Sequence, residues 1–265
     1  MLTEFNGSQD FLLFTLDSCR WDVFDAARMP NLKSLCRFRK AYTQGTYTYP
    51  AHISMFSGQF PNVIENEPYY NRFNKYLFLI RGGNATINSY VEFPRGTPNI
   101  LHGFGSIGYN TFGIGAVEWF RHPNLYGPFR EFIHSGIHLS KQIELLLEKA
   151  SANAGRPFFG FVNIGETHDP YEFGGHIAVT ARKASLMRLT PGAGFARQEY
   201  LKQIRCCEYI DGQFGKIIEF ARRSKRRTVF IVCGDHGECF GEDGMYGHGF
   251  FHQKVMEVPM GIFEI

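Results

Sequence analysis

Two threonines and two tyrosines stand directly before a proline in the stretch GTYTYPAHISMFSG, from Gly45 to Gly58. Pro50 suits the first turn of a helix, where its missing N–H costs nothing, and Gly58 suits a left-handed cap at the helix end. A hydroxyl just before Pro50 therefore meets unpaired N–H groups and the positive end of the helix dipole, where an anion binds well. Ordinary N-capping by a threonine explains the same residues, so anion chemistry and capping both stay open at this point.

Three apolar runs end in polar residues of the types found in active sites. They are FLLFTL before Asp17, RPFFGFVNIGET before His168, and TVFIVCG before the pair Asp235 and His236. The carboxyl ends of strands lie together at one edge of a parallel sheet, which is where α/β folds place their sites. A single acid after a strand is more often a turn residue, but several such clusters favour a shared site. We expect these side chains to meet near the start of the Pro50 helix.

Strand-length apolar runs alternate with helical patterns along the chain. Strands are predicted at FLLFTLD, YNTFGIG, RPFFGFVNI, RTVFIVC and VPMGIFEI, and helices at PNLKSLCRF, the Pro50 segment, TPNILHGFG, KQIELLLEKASA and Phe195–Arg223. This alternation predicts an α/β fold with a largely parallel sheet and helices on both faces. Residues 1–265 are interpreted as a single domain. The aromatic, Asn-rich segment Phe60–Gly96 has no assignable pattern, and we expect it to shape the substrate pocket.

Composition and charge limit the partners and the location. The chain has 265 residues, 44% of them hydrophobic, and a net charge of +3, which is too small to indicate nucleic acid or a membrane as a partner. The basic run Arg222–Arg227 is interpreted as the solvated end of a helix. MLTEFNGSQD lacks the features of a secretory signal, and no apolar run is long enough to span a bilayer. Six cysteines without a CxxC pair indicate reduced thiols, so a cytoplasmic protein is predicted.

One glycine motif is set aside. Gly103, Gly105 and Gly108 spell GxGxxG, which binds dinucleotides only where it follows a strand and opens a helix. Here a helical pattern precedes the motif and a strand pattern follows it, which predicts a turn.

Several motifs together resemble a known superfamily. TLDSCRWD, MPNLKSL, TYTYPAHISMFSG, GYNTFGIG, THDPY and GDHGECFGEDGMYGHG…VPM occur in the order and spacing of the alkaline phosphatase/sulfatase superfamily, over nearly the whole chain. The block DHGECFGEDGMYGHG is the most specific and looks most like the sulfatase-like and phosphoethanolamine-transferase branches. The resemblance implies an alkaline-phosphatase-like fold, a three-layer α/β/α sandwich with a mostly parallel central sheet, and a divalent metal ion.

The resemblance also implies roles for individual residues. Its metal ligands would be Asp17, Asp235, His236 and the nucleophile Thr48 of the T-x-P-x-H pattern, while His168 and His248 would contact the transferred group. Two carboxylates, one imidazole and an alkoxide suit Zn²⁺ or Mn²⁺, with Ca²⁺ or Mg²⁺ as alternatives. One tightly held ion is expected, and a second ion at the two remaining histidines is left open.

The chain also departs from the superfamily patterns. Sulfatases carry Cys or Ser in C/S-x-P-x-R, whereas this chain has Thr48 and His52, which disfavours sulfate-ester hydrolysis. His52 is left without a role, and Glu238 is expected to cap or hydrogen-bond locally. Arg20 and Asp22 are expected either to pair at the surface or to support the site from nearby. ETHDPYEFGGH does not spell the D-x-x-x-H pair of two-metal members, and no membrane anchor or C-terminal subdomain is expected.

These observations predict a metal-dependent hydrolase of phosphate esters that acts through a threonine nucleophile and a phosphothreonine intermediate. Phosphodiesters or phosphonate esters are favoured over phosphomonoesters. The alternatives are a phosphotransferase to an alcohol acceptor, a sulfatase-like hydrolase, and a catalytically silent protein that binds a phosphorylated partner. The expected partner is a small phosphate ester substrate, and the sequence does not indicate an oligomeric state.

Overall fold

The apolar runs form the strands of a central sheet. The computed structural model describes residues 7–58, 99–174 and 194–265, together with the backbone of five short strands that lie between these ranges. The strands are β1 Asp10–Leu16, β2 Arg39–Tyr42, β3 Asn62–Val63, β4 Tyr70–Asn71, β5 Leu79–Arg81, β6 Asn88–Tyr90, β7 Asn110–Gly115, β8 Glu131–His134, β9 Phe158–Ile164, β10 Arg188–Leu189, β11 Thr228–Gly234, β12 Cys239–Phe240, β13 Met245–Gly247 and β14 Glu257–Glu264. The α-helices are α1 Trp21–Ala26, α2 Pro30–Lys33, α3 Thr48–Ser57, α4 Ile100–Ser106, α5 Pro123–Tyr126, α6 Leu139–Ala152, α7 Arg197–Arg223 and α8 Gln253–Met256, with 3₁₀ turns at Glu118–Arg121 and Glu242–Gly244.

The seven strands of the main sheet have the order β2-β14-β11-β1-β9-β7-β8. The five strands from β11 to β8 are parallel, whereas β14 runs antiparallel to β11 and β2 runs antiparallel to β14. Leu16 at the end of β1 lies opposite Gly234 of β11 and Ile164 of β9. These three strands therefore end at the same level, and the residues that follow them emerge at one edge.

Helices cover both faces of this sheet. Alternate residues of β1 point to opposite sides, so Phe14 joins a core cluster with Phe214 of α7, while Leu13 joins a second cluster with Phe56 of α3 and Phe161 of β9. The rings of Phe14 and Phe214 lie 4.8 Å apart, and those of Phe56 and Phe161 lie 5.3 Å apart. The predicted α/β fold with a mostly parallel central sheet is confirmed.

Helix α3 has the boundaries that its sequence indicated. Gly58 follows it with φ 65° and donates its N–H to the carbonyl of Ser54, as a left-handed cap does. Tyr47 occupies the N-cap position and makes no side-chain capping bond. A Cβ atom on Gly45 would lie 2.3 Å from the backbone nitrogen of Ala51. Only glycine therefore lets the preceding loop cross the start of the helix so closely.

Most of the other predicted elements match to within a few residues, but the helix predicted at PNLKSLCRF ends at Lys33, and part of the GxGxxG motif is helical. Gly103 and Gly105 lie inside α4, and Gly108, with φ 92°, forms the turn before β7. The GxGxxG motif thus ends a helix and precedes a strand, opposite to the order that a dinucleotide site requires. The segment Phe60–Gly96, which was expected to shape the pocket, lies outside the described residues apart from the backbone of β3 to β6.

Candidate active site

Asp17, Asp235 and His236 meet at the edge where the parallel strands end. Asp17 follows β1 directly, Asp235 follows β11, and all three side chains are fully buried. Nε2 of His236 lies 3.8 Å from Oδ1 of Asp17 and 3.6 Å from Oδ2 of Asp235. One potential ligand atom from each residue lies within 4.8 Å of the other two. The structure thus brings together three of the four predicted metal ligands.

Backbone contacts orient these three candidate ligands. Ser18 adopts a left-handed φ of 59°, and its N–H donates to Oδ1 of Asp235 at 3.1 Å. The N–H of His236 donates to the same oxygen at 2.8 Å, whereas Oδ2 of Asp235 is buried without a hydrogen-bond partner. Nδ1 of His236 lies 2.9 Å from the carbonyl of Gly237. Because a carbonyl oxygen only accepts, Nδ1 carries the proton and the Nε2 lone pair faces the two acids.

The electrostatics of the three residues fit a divalent cation. Burial and the charge of Asp17 raise the pKa of Asp235 well above its ordinary value. Burial opposes ionisation of Asp17 as well, but the surrounding histidines, His168 foremost, outweigh it and lower its pKa. Burial and the nearby His248 lower the pKa of His236 to about 3, so its ring is neutral. The site thus contains two carboxyl groups and a neutral imidazole, and one carboxyl oxygen, Oδ2 of Asp235, has no hydrogen-bond partner. This set of donor atoms suits a divalent metal ion.

The hydroxyl of Thr48 faces the candidate ligands Asp17 and His236. Its Oγ1 lies 3.3 Å from Oδ2 of Asp17 and 3.5 Å from Nε2 of His236, and the residue is 2% exposed. Thr48 is the first residue of α3, so the unpaired N–H groups and the positive end of the helix dipole are beside it. Tyr47, not Thr48, holds the N-cap position. The capping explanation therefore does not account for Thr48.

His168 and His248 lie beside the same group of ligands. The ring of His248 is 4.5 Å from that of His236 and 5.5 Å from that of His168. Nδ1 of His168 donates to the carbonyl of Asp169 at 2.8 Å, which leaves Nε2 for other contacts. Burial opposes protonation of His168, but the carboxylates of Asp17 and Glu238 prevail and raise its pKa. The two histidines thus lie side by side. His168 is partly exposed, and its raised pKa favours the protonated, cationic form.

Glu238 supports this histidine pair in a way that the sequence did not indicate. Its Oε1 lies 3.4 Å from Nδ1 of His248, and its Oε2 accepts a hydrogen bond of 2.5 Å from the hydroxyl of Tyr171. Burial alone would raise the pKa of Glu238, but the hydrogen bond and charge of His248 lower it. The only signal in the sequence was the position of Glu238 in the DHGE block, because Tyr171 precedes it by 67 residues.

Arg20 joins the two loops that carry the acids. It pairs with Asp22 through Nε and Nη2 at 2.6 and 2.7 Å, as expected, but it is 2% exposed and does not lie at the surface. Nη2 also lies 2.8 Å from Oε1 of Glu242, and Nη1 donates to the carbonyl of Glu238 at 3.1 Å. The loop after β1 is therefore fastened to the loop after β11 by a buried guanidinium.

A comparison with protein families assigns the chain. The model of the sulfatase family matches residues 9–260. The chain belongs to the sulfatase family. It is accordingly a sulfatase-superfamily enzyme, as the motifs indicated. No curated protein sequence is similar to this sulfatase-family chain at a significant level.

Solved structures share the fold of this sulfatase-family chain. The C-terminal periplasmic domain of phosphoethanolamine transferase EptC from Campylobacter jejuni is 13% identical, with 98% of this chain and 80% of that chain covered and a TM-score of 0.68. The putative sulfatase yidJ from Bacteroides fragilis is 15% identical, with coverages of 99% and 69% and a TM-score of 0.66. The C-terminal periplasmic domain of EcEptC from Escherichia coli, in complex with Zn, is 12% identical, with coverages of 97% and 73% and a TM-score of 0.59.

The predicted cytoplasmic location is wrong. Solved neighbours of this fold include periplasmic domains from two bacteria, which contradicts it. The cysteines misled the prediction, because five of the six free thiols are buried and the pKa values of Cys233 and Cys239 are raised to about 12 by burial. Thiols shielded in this way stay reduced in either compartment. Among the described residues, none of the helices is both long and apolar enough to cross a bilayer.

Proposed function

We propose that this chain hydrolyses phosphate esters, with Thr48 as the nucleophile. In this proposal Asp17, Asp235, His236 and Thr48 hold one divalent ion, with Zn²⁺ or Mn²⁺ best suited to the mixture of oxygen and nitrogen donors. The observation that carries the proposal is the placement of the Thr48 hydroxyl, 3.3 Å from Asp17 and 3.5 Å from His236 at the positive end of α3. A buried hydroxyl in that place has no capping function to explain it.

The first step transfers the phosphoryl group to the threonine. When bound, the divalent ion would supply Lewis-acid stabilisation of negatively charged oxygens. Oδ2 of Asp17 accepts the hydrogen bond of the Thr48 hydroxyl and orients Oγ1, and the hydroxyl proton passes to solvent water as the bond from Oγ1 to phosphorus forms. The unpaired N–H groups at the start of α3 donate to the phosphoryl oxygens. The bond from phosphorus to the leaving oxygen breaks on the opposite side, in line with the attack.

The two histidines act on the other oxygens. His248 is oriented by Glu238 and presents Nε2 to the transferred group. His168, with Nδ1 bound to the carbonyl of Asp169, donates a proton from Nε2 to the leaving oxygen. Water then attacks the phosphothreonine and gives its proton to the now neutral His168. The bond from phosphorus to Oγ1 breaks, and Thr48 regains a proton from solvent water.

The charges around Thr48 favour a singly charged phosphodiester or phosphonate ester. Asp17, Asp235 and Glu238 are three acids, and the one arginine described beside them, Arg20, directs its guanidinium to Asp22 and Glu242. A site with this charge repels the second negative charge of a phosphomonoester more than it repels a diester. We propose a small phosphate ester as substrate, handled in the periplasm or outside the cell.

Phosphotransfer to an alcohol is the second candidate. It is favoured by the structural neighbours described as phosphoethanolamine transferases. Both reactions share the phosphothreonine and differ only in whether water or an alcohol attacks it. Sulfate-ester hydrolysis is the third candidate, favoured by the family, but Thr48 replaces the Cys or Ser of the C/S-x-P-x-R pattern.

The test is an assay of the Zn²⁺- or Mn²⁺-loaded protein against aryl phosphate diesters, phosphonate esters, monoesters and sulfates. We expect diesters or phosphonates to be turned over fastest. Thr48→Ala should abolish turnover while metal content stays within about 20% of wild type, because three protein ligands remain. Thr48→Ser, which keeps a hydroxyl, should retain measurable turnover and a trapped phosphoserine by mass spectrometry. Equal turnover in wild type and Thr48→Ala would refute the assignment of Thr48 as the nucleophile.

A second assay separates hydrolysis from transfer. An alcohol such as ethanolamine or glycerol is added at increasing concentration, and the phosphorylated products are identified by mass spectrometry. A hydrolase releases the free phosphate or phosphate monoester at every alcohol concentration. A product that consists mainly of the phosphorylated alcohol would assign the chain to the transferases instead.

A further inference from the structure

A line of buried hydrogen bonds connects the backbone of Thr48 with the carboxylate of Asp17. It begins at His52, which is fully buried in α3, one turn after Thr48. Nδ1 of His52 lies 2.7 Å from the carbonyl oxygen of Thr48, and Nε2 lies 2.9 Å from Oγ1 of Thr15. Since a carbonyl oxygen only accepts, Nδ1 carries the proton, and Nε2 accepts from the hydroxyl of Thr15.

Asn163 continues the line to Asp17. Its Oδ1 accepts from the backbone N–H groups of Ala116 and Val117 at 3.3 and 3.4 Å, which fixes the orientation of the amide. Its Nδ2 donates to Oγ1 of Thr15 at 3.3 Å and to Oδ2 of Asp17 at 3.4 Å. Each polar hydrogen along the line therefore has one acceptor, and the directions of the hydrogen bonds are mutually consistent.

The line reaches both partners of the Thr48–Asp17 contact. Oδ2 of Asp17 accepts from Asn163 and also from the hydroxyl of Thr48, at 3.3 Å. His52 holds the backbone of Thr48 from the other end. Separation and orientation of the hydroxyl and the carboxylate are thus set by one hydrogen-bonded unit, anchored in β1 and β9.

Aromatic rings keep His52 in place. Phe120 and Phe161 meet its imidazole edge-on at 4.9 and 5.6 Å, and Phe56 lies 6.0 Å away. These rings restrict the orientation of the imidazole. His52 also lies 3.8 Å from Oδ2 of Asp235, but both of its nitrogens are engaged, so it offers no lone pair to a metal ion.

We propose that His52, Thr15 and Asn163 are positioning residues that hold the Thr48 hydroxyl against Asp17, with His52 locked as the neutral Nδ1–H tautomer. The proposal rests on Thr48 being the nucleophile. Displacing a reacting group by about 1 Å costs on the order of 10²-fold in rate. Loss of this positioning should therefore lower kcat and leave KM and metal binding nearly unchanged.

Two substitutions at Thr15 provide a matched test. Thr15→Val keeps the shape of the side chain and removes the hydroxyl, and Thr15→Ser keeps the hydroxyl and removes a methyl group. At full metal occupancy we expect Thr15→Val to lower kcat by about 10- to 100-fold. Its KM should change by less than about 3-fold, and Thr15→Ser should stay within about 3-fold of wild type in both constants. Equal kcat values in the two variants would overturn the proposal.

The tautomer of His52 is tested on the wild-type protein by ¹⁵N NMR, independently of activity. His52 is assigned by the loss of its signals in His52→Asn. We expect a protonated Nδ1 and an unprotonated Nε2 between about pH 6 and 8, with and without Zn²⁺. The opposite tautomer, or rapid exchange between the two, would overturn the proposal. If Thr48→Ala stays active while the tautomer is as stated, the nucleophile assignment has failed and the hydrogen-bonded line has not.

Discussion

Asp235→Asn should make the metal-free protein more stable, although it removes a ligand of the proposed metal site. In the absence of a cation, Asp17 and Asp235 place two acids together in a fully buried position, and Oδ2 of Asp235 has no hydrogen-bond partner. Asparagine keeps the oxygen that accepts from Ser18 and His236. It replaces the orphaned oxygen by an amide that donates toward Nε2 of His236, the nitrogen 3.6 Å away that carries a lone pair.

The size of the effect follows from the geometry. Two unit charges within 4.8 Å of each other repel by at least about 3.5 kcal/mol at an effective dielectric constant of 20. Wild-type protein can relieve part of this repulsion by protonating Asp235, whose pKa is raised, so we expect a gain of about 2–3 kcal/mol in the variant. For 265 residues the entropy of unfolding is about 0.56 kcal/mol/K, which converts the gain into a rise in Tm of about 4–5 °C.

The gain should grow with pH. The folded-state pKa of Asp235 is raised above its unfolded value, so metal-free wild type loses stability as pH rises above about 4. Asparagine does not titrate, so the difference between variant and wild type widens over the same range.

The assay is thermal unfolding of both proteins with a chelator and with Zn²⁺. At 1,000 times its Kd for wild type, Zn²⁺ should stabilise wild type by about 4.1 kcal/mol and the variant much less, so the order of the two Tm values should reverse. Asp211→Asn is the matched control. Asp211 is buried, and its two oxygens accept N–H bonds from Leu32 and Asn31, so this variant should lose stability and keep the Zn²⁺ response. A lower Tm for metal-free Asp235→Asn than for wild type would refute the reasoning.

Three other variants test separate parts of the structure. His248→Ala should lower kcat about 10²-fold with metal content unchanged. The exposed control His102→Ala should change neither kcat nor metal content. Loss of metal in His248→Ala would indicate a second ion. Arg20→Met leaves buried acceptors unpaired and should cost about 3 kcal/mol or more in urea unfolding, against less than about 0.5 kcal/mol for exposed Arg222→Met. Glu166→Gln should remove a pH dependence of stability. Burial raises the folded-state pKa of Glu166 to about 7, so wild type should lose about 3 kcal/mol relative to the variant between pH 4 and 7, and parallel stability curves would contradict this.

The meeting of Asp17 and Asp235 at one edge of the sheet was predictable from the sequence, because a single rule of parallel sheets is enough to place them. Asp17 and Asp235 follow buried runs, and parallel strands place the residues after such runs together. Glu238 was not predictable in its role, since its contact with Tyr171 depends on how two distant loops pack. The burial of Arg20 was not predictable either. Charged side chains lie at the surface unless their donors find partners, and the partners of Arg20 come from different loops.

His52 shows a different limit of prediction from sequence. A lone histidine on a buried helix face usually has a structural role, and Thr15 and Asn163 look like ordinary residues of buried strands. Their connection becomes visible only in the register of β1 against β9, where Thr15 lies opposite Asn163. Pairing of this kind depends on the whole sheet and leaves no mark in any local pattern.

The neutral state of His52 bears on why the site needs a cation at all. Burial lowers the pKa of His52 to about 4, and burial with His248 lowers that of His236 to about 3, so both imidazoles next to Asp235 are uncharged at neutral pH. The arginine of the C/S-x-P-x-R pattern would place a permanent positive charge at position 52, where the Nδ1 atom of the histidine lies 3.8 Å from Oδ2 of Asp235. Such a charge would offset part of the negative charge of the acids and weaken their attraction for a metal ion. In the proposed mechanism, histidine at this position supports Thr48 without that competition, so the T-x-P-x-H pattern would couple the placement of the nucleophile to a strong demand for a divalent cation.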